Sequence, residues 1–130
     1  MKKLAVKCGA IAAALLVAGQ LWAHHGAGIY DRAQSVTVTG AVTQFEFVNP
    51  HVLIYIATMD ADGREVEWSG ELTSPNRLAR SMNGVKWHKD LLAPGDIVTL
   101  IGNPARNGAP ALLLNRVLDG DGNVLTGTGR

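Results

Sequence analysis

The residues of this chain best suited to chemistry are its four histidines, His24, His25, His51 and His88. His24 and His25 follow Ala23 in the stretch "LWAHHGAGIY", so a cut after Ala23 would leave a protein that begins with a histidine. The free amine and a ring nitrogen of such a residue can close a chelate on one cation. A third imidazole would then complete an all-nitrogen donor set of the kind that suits copper or zinc. The amine titrates near about pH 8 and imidazole near about 6.5, so neither imposes a large proton penalty at neutral pH. His51 is the candidate third donor. His88 stands between Lys86 and Lys89 in "VKWHKD" and reads as a solvated surface residue outside the set. The competing reading of the same histidines is a polar chain start and a turn residue at His51.

The cut itself is inferred from the first 23 residues. Met1-Lys2-Lys3 precedes an apolar segment interrupted only by Lys7, and Gly19-Gln20-Leu21-Trp22-Ala23 follows. That is the charged, apolar, small-residue order of a secretory leader. The unbroken apolar run from Cys8 to Gly19 is shorter than the roughly 20 residues that span a bilayer, so no membrane span is expected after processing. Residues 24–130 then form one expected domain, with 24–34 as an arm and 126–130 as a frayed tail. The leader holds three of the 12 Lys+Arg and none of the 11 Asp+Glu, leaving nine basic against 11 acidic residues. Such a balance lacks the basic field that nucleic-acid binding needs. The single cysteine, Cys8, leaves with the leader, so the fold must stand without a disulfide. A periplasmic or secreted location follows.

Other chemistry finds little support. There is no cysteine nucleophile, no Ser, His and Asp at a spacing that assigns a triad, and no glycine-rich phosphate loop, so the chain does not read as an enzyme. "DGDGNV" from Asp119 opens like a calcium loop, but Val124 stands where the loop needs glycine and Arg130 where it needs glutamate. Glu65, Glu67, Ser69 and Glu71 make one polar row that reads as a solvated face. Glu71 is nearest the expected helix start and is read as structural, though with Asn49 and Trp68 it is also a candidate for a ligand face.

The elements that must position these residues are mostly strands. From Ser35, Val36, Val38 and Val42 alternate with Thr37, Thr39 and Thr43, and then the phase flips so that Phe45 and Phe47 are apolar. A long strand that bends through a bulge reads this way, with Gly40 giving room for the bend. "VNPH" interrupts pairing at Pro50. A second strand is expected over Val52 to Met59, a turn at Asp60 to Gly63, and a third strand over Arg64 to Leu72 with Val66, Trp68, Gly70 and Leu72 facing in. Ser74 as cap, Pro75 at the first position, Leu78 and Met82 on one face and Gly84 as a stop predict a short helix. Strands at Ile97 to Gly102 and Ala111 to Leu118 flank the loop Asn103 to Pro110. The expected core includes Val36, Val38, Phe45, Ile54, Val66, Trp68 and Leu78. Three strands, a helix and two further strands give an all-β fold: a small five- to six-stranded OB-like (oligonucleotide/oligosaccharide-binding) barrel, with one short helix between strands three and four. Barrels of this kind take ligands across strands two and three, bordered by the connection that holds His51.

"AHHGAGIYD", "VTVTGAVTQFEFVNPH", "DADGREVEW", "ELTSPNRLAR" and "LLAPGDIVTLIG" together resemble a family of small exported bacterial proteins, a domain of unknown function. Its members typically carry Ala-His-His-Ser-Phe near the mature start, then Asn-Pro-His, Ser-Pro and Lys-Pro-Gly-Asp. The resemblance places His24, His25, Asn49, His51, Trp68, Glu71, Ser74 and Pro75 on characteristic positions. It departs at Gly26 and in "GVKWHKD". It implies export and this fold, and it brings no established activity.

Two functions remain open on the sequence. One is a periplasmic binding protein that holds copper or zinc through His24, His25 and His51. The other is a metal-free OB-type domain for a saccharide, a peptide or a partner protein. The leader reading predicts that protein recovered from the periplasm has an intact mass starting at His24; a mass retaining Met1, or a start beyond His25, would remove the terminal-amine chelate.

Overall fold

The computed structural model describes residues 27–80 and 85–127. After a 3-10 turn at Ala27–Ile29, the strands are β1 (Val36–Glu46), β2 (Leu53–Met59), β3 (Glu65–Glu71), β4 (Ile97–Pro104), β5 (Ala111–Leu118) and β6 (Val124–Gly127), with one helix, α1 (Pro75–Ala79), between β3 and β4. β1 pairs with β4 over its first half and with β2 over its second, all antiparallel. The change of partner occurs at Ala41, which faces Ile97 on one side and Ala57 on the other. The register with β2 slips between Val42 and Gln44. That slip is the bulge behind the phase flip, because one extra residue turns the following side chains to the opposite face. Gly40 makes the crossing possible, since a Cβ there would collide with the Ala57 carbonyl oxygen, and backbone cannot yield as a side chain can.

Closure comes from a short parallel pairing of Ser69–Glu71 in β3 with Ala111–Leu113 in β5. The circuit β1-β2-β3-β5-β4 is an OB-type barrel, and β6 adds a sixth strand along β5. Gly70 lies at this seam, its missing side chain occupied by Leu114. Ile54, Ile56, Leu100 and Leu112 fill the centre with no exposed surface. Each such side chain contributes about 1.5–3 kcal/mol by leaving water. Of the core expected from sequence, Ile54 and Leu78 are buried, and Val36, Val38, Phe45 and Trp68 are partly buried against the cluster. Val66 is half-buried and lies outside that cluster, because β1 and β2 diverge beyond Ala41 and leave this end of the barrel open.

Three local readings change. The hydroxyl of Ser74 makes no cap bond; its carbonyl starts α1 by accepting from the Arg77 and Leu78 N–H groups. β4 continues through Asn103 and Pro104, which pair with Leu113 and Leu112, so the loop to β5 is two residues shorter than expected. Thr126 and Gly127, expected to fray, end β6 instead. That strand is held because Trp87 is buried and its indole N–H donates to the Leu125 carbonyl at 3.1 Å. No helix among the described residues is long and apolar enough to cross a membrane.

The crossing at Gly40 sets a stability prediction. Gly40→Ala should cost about 1–3 kcal/mol in urea unfolding, the usual range for overpacking. Gly28→Ala, where a Cβ meets nothing within 4 Å, should leave the midpoint unchanged or slightly raised.

Candidate functional site

His51 lies just past the cis Asn49–Pro50 peptide in the β1–β2 connection, and Glu71 ends β3. Val52 and Leu72 hold the two segments together: the Leu72 N–H donates to the Val52 carbonyl at 2.8 Å, and the Val52 N–H to the Thr73 carbonyl at 3.2 Å. His51 Nδ1 consequently sits 2.7 Å from Glu71 Oε1. The other carboxylate oxygen, Oε2, accepts from the Tyr30 hydroxyl at 2.9 Å. Both oxygens of Glu71 are thus engaged, while half of the His51 side chain stays exposed. In the neutral ring, a proton on Nδ1 shared with Glu71 leaves the Nε2 lone pair as the available donor.

Tyr30 reaches Glu71 because the segment before β1 is fastened to the barrel. It bridges Ala105; the Arg106 N–H donates to the Ile29 carbonyl and the Asp31 N–H to the Pro104 carbonyl, each at 2.8 Å. Asn103 adds a third tie by donating its amide to the Gln34 carbonyl at 2.6 Å. The Tyr30 phenol is pushed up to about 12, first by burial and then by its bond to, and the charge of, Glu71. It therefore remains a hydrogen-bond donor across the physiological range.

Around this relay is a cleft of about 770 Å³. Tyr30, His51 and Glu71 line it, with Arg32 from the arm and Arg77 from α1 supplying cations. Ile29, Pro50, Leu72 and Leu113 supply apolar wall. Among the described residues, no group of three or more His, Cys, Asp and Glu side chains is gathered where it could hold a metal ion. His24 and His25 lie outside the described residues.

The sequence candidates part company here. His51 and Glu71 meet, a contact that the position of Glu71 near the helix start does not suggest. Asn49 is exposed and does not line the cleft. Trp68 points to the other face of β3 and lines a separate groove of about 430 Å³ with Val36, Val38, Val66 and Met59. His88 is exposed, its Nδ1 accepting from the Asp90 N–H at 3.2 Å. Asp119 is occupied by its own turn: bonds from the Asn123 side chain and then backbone hold its carboxyl below the ordinary value. Sequence reasoning missed Tyr30, Arg32 and Arg77 as site residues. Nothing in local spacing links any of the three to His51.

The outer face of the β1–β3 sheet has a different character. These three strands contain Glu46, Glu65, Glu67 and Glu71 and no Lys or Arg. The Tyr55 phenol there is raised by burial and by the charges of Glu46 and Glu67.

The profile of a family described as "Family of unknown function (DUF6152)" matches residues 12–113. No curated protein matches the sequence. A similar solved structure is the mitochondrial single-stranded DNA binding protein Rim1 from S. cerevisiae. It has 14% identity, covers 72% of this chain and 95% of its own, and gives a TM-score of 0.45.

The Tyr30–Glu71 bond sets a pH dependence. An unfolded tyrosine ionises near about pH 10 and the folded Tyr30 near 12, so the folded state holds the proton more tightly. Its stabilising contribution is complete below pH 10 and is lost as pH rises toward 12. Urea unfolding at pH 9 and 11.5 should show a smaller loss for Tyr30→Phe than for the parent, while equal losses would place the Tyr30 pKa near its ordinary value.

Proposed function

Since the chain belongs to DUF6152, a family of unknown function, its own residues must supply the reading, and we propose that it is an exported periplasmic protein that binds copper or zinc through His51, His24 and His25. The observation that carries this is the His51–Glu71–Tyr30 relay. A carboxylate on the far nitrogen of an imidazole fixes ring orientation and tautomer and raises the basicity of the other nitrogen, the arrangement that commonly stands behind metal-bound histidines. His51 has that support and an exposed ring.

The remaining donors must come from the arm. Ala27 begins the turn that leads to Ile29 on the cleft wall. His25 and His24 precede Ala27 by two and three residues, an extended reach of about 7 to 11 Å. Their imidazoles, with the amine of a processed His24, would bring the donor set to nitrogen ligands that suit Cu(II) or Zn(II). Such an ion would leave the domain holding a cation at the rim of the cleft, available for storage, delivery or sensing. The acidic outer face of β1–β3 argues against a nucleic acid as partner, since phosphates would meet carboxylates there. A second reading, metal-free binding of a saccharide, peptide or partner protein, draws on the groove beside Trp68, whose partly buried indole and largely apolar rim offer a contact surface.

Calorimetric titration of processed protein with Cu(II) and Zn(II) tests the reading. His51→Ala should weaken binding at least about tenfold, roughly 1.4 kcal/mol. Glu71→Gln should weaken it about tenfold by removing the support behind the ring. One residue added before His24 should weaken it as well, and His88→Ala should not. Unchanged affinity in His51→Ala would overturn the metal site and leave the Trp68 groove as the leading candidate.

A further inference from the structure

The cleft beside His51 contains charges that the metal reading does not use. Arg32 lies two residues past the anchored Tyr30, and Arg77 sits in α1; both line the cleft and both are exposed. Guanidinium groups remain positive at any pH the protein meets, and their planar fork matches a carboxylate or a phosphate. The one carboxylate on the cleft wall is Glu71, and its two oxygens already serve His51 and Tyr30. Of the other described arginines, Arg64 pairs with Asp60 and Asp62 and Arg106 with Asp31, while Arg80 and Arg116, which do not line the cleft, have no ion pair among the described residues. Among the described residues, no ion pair involves Arg32 or Arg77. The cleft therefore presents two cations with no matching anion.

The rest of the wall indicates what kind of anion. Ile29, fastened to the barrel by its backbone, leaves 44% of its surface exposed. Its exposed surface borders the same cleft as Leu113. An inorganic ion would leave that apolar surface wet, whereas an organic anion would cover it while its charged end met the arginines. The volume of about 770 Å³ is within the usual range for small-molecule sites, roughly 300–1,000 Å³.

We propose that this cleft binds a small organic carboxylate, with the carboxylate group held by Arg32 and Arg77 and the apolar body laid on Ile29 and Leu113. The site needs no metal. It is also compatible with one, because the bound anion neutralises the guanidinium charges that would otherwise repel a cation at His51.

The test uses metal-free protein labelled with nitrogen-15, titrated by NMR with butyrate, succinate and inorganic phosphate. Butyrate and succinate should shift the amides of Thr73, Leu113 and Asn115 along saturable curves, and phosphate should bind at least about tenfold more weakly. Arg32→Gln and Arg77→Gln should each weaken butyrate binding at least about tenfold. Arg80→Gln, outside the cleft, should leave it unchanged. Arg77→Lys, which keeps the charge and loses the fork, should fall between parent and Arg77→Gln. Spectra of the free variants that match the parent establish that the fold is intact. The proposal is overturned if no saturable shift develops by about 50 mM carboxylate, if the Gln variants bind like the parent, or if phosphate binds as tightly as butyrate. With metal absent throughout, failure here leaves the metal reading standing, and failure of the metal titration leaves this result untouched.

Discussion

The structure depends on one strand serving two partners. β1 must leave β4 and join β2 within a few residues, and Ala41 sits at the exchange, paired on both sides. Two features permit it: the absence of a side chain at Gly40, where the Ala57 carbonyl passes, and the slip between Val42 and Gln44 that re-aims the second half of the strand. Without the exchange, β2 and β3 would not curl round to meet β5, and the seam between β3 and β5 would not form. Ile54 and Ile56 on β2, Leu100 on β4 and Leu112 on β5 are fully buried because that curl brings the strands round one centre. The hydrophobic effect has no direction of its own; here the backbone at Gly40 directs it.

Barrel closure also makes the site. Glu71 ends β3 opposite Leu113 of β5, and the arm crosses nearby to bridge Ala105. A carboxylate at the seam therefore meets an imidazole from the β1–β2 connection and a phenol from the arm. Each contact constrains the others. The Tyr30 hydroxyl holds one oxygen of Glu71, the other oxygen faces His51, and the pairing of Val52 with Leu72 and Thr73 sets the spacing between the two chains. The phenol stays protonated because burial and the adjoining carboxylate both disfavour its anion.

Charge is divided over the surface in a way that separates two kinds of contact. The β1–β3 sheet is acidic and lacks basic side chains, with Glu67 and Glu46 further held by Thr43 and Gln44. The cleft at the β3–β5 seam has Arg32 and Arg77 instead. A ligand face transferred from other barrels of this topology would fall on the acidic sheet; the concave, mixed-polarity surface lies beside it, where the arm covers the seam. The Trp68 groove is different again, apolar and at the open end of the barrel.

How much of this could be read from residues alone follows from the range of the interactions. Strand alternation, the phase flip after Val42, the turn at Asp60 to Gly63 and the short helix after Ser74 are decided by neighbours a few positions apart, and the sequence determined them along with the strand–helix–strand order of the barrel. It also singled out His51 and Glu71, but for separate reasons and in separate roles. Their meeting, 20 positions apart, and the arrival of Tyr30 from 41 positions away, were decided by tertiary structure. So were the burial of Trp87, the order in β6 that its indole secures, and the two arginines at the cleft. Local pattern encodes which face of a strand is wet; it has no term for which distant segment closes over that face, because that depends on where β1 changes partner and on how β3 and β5 then align.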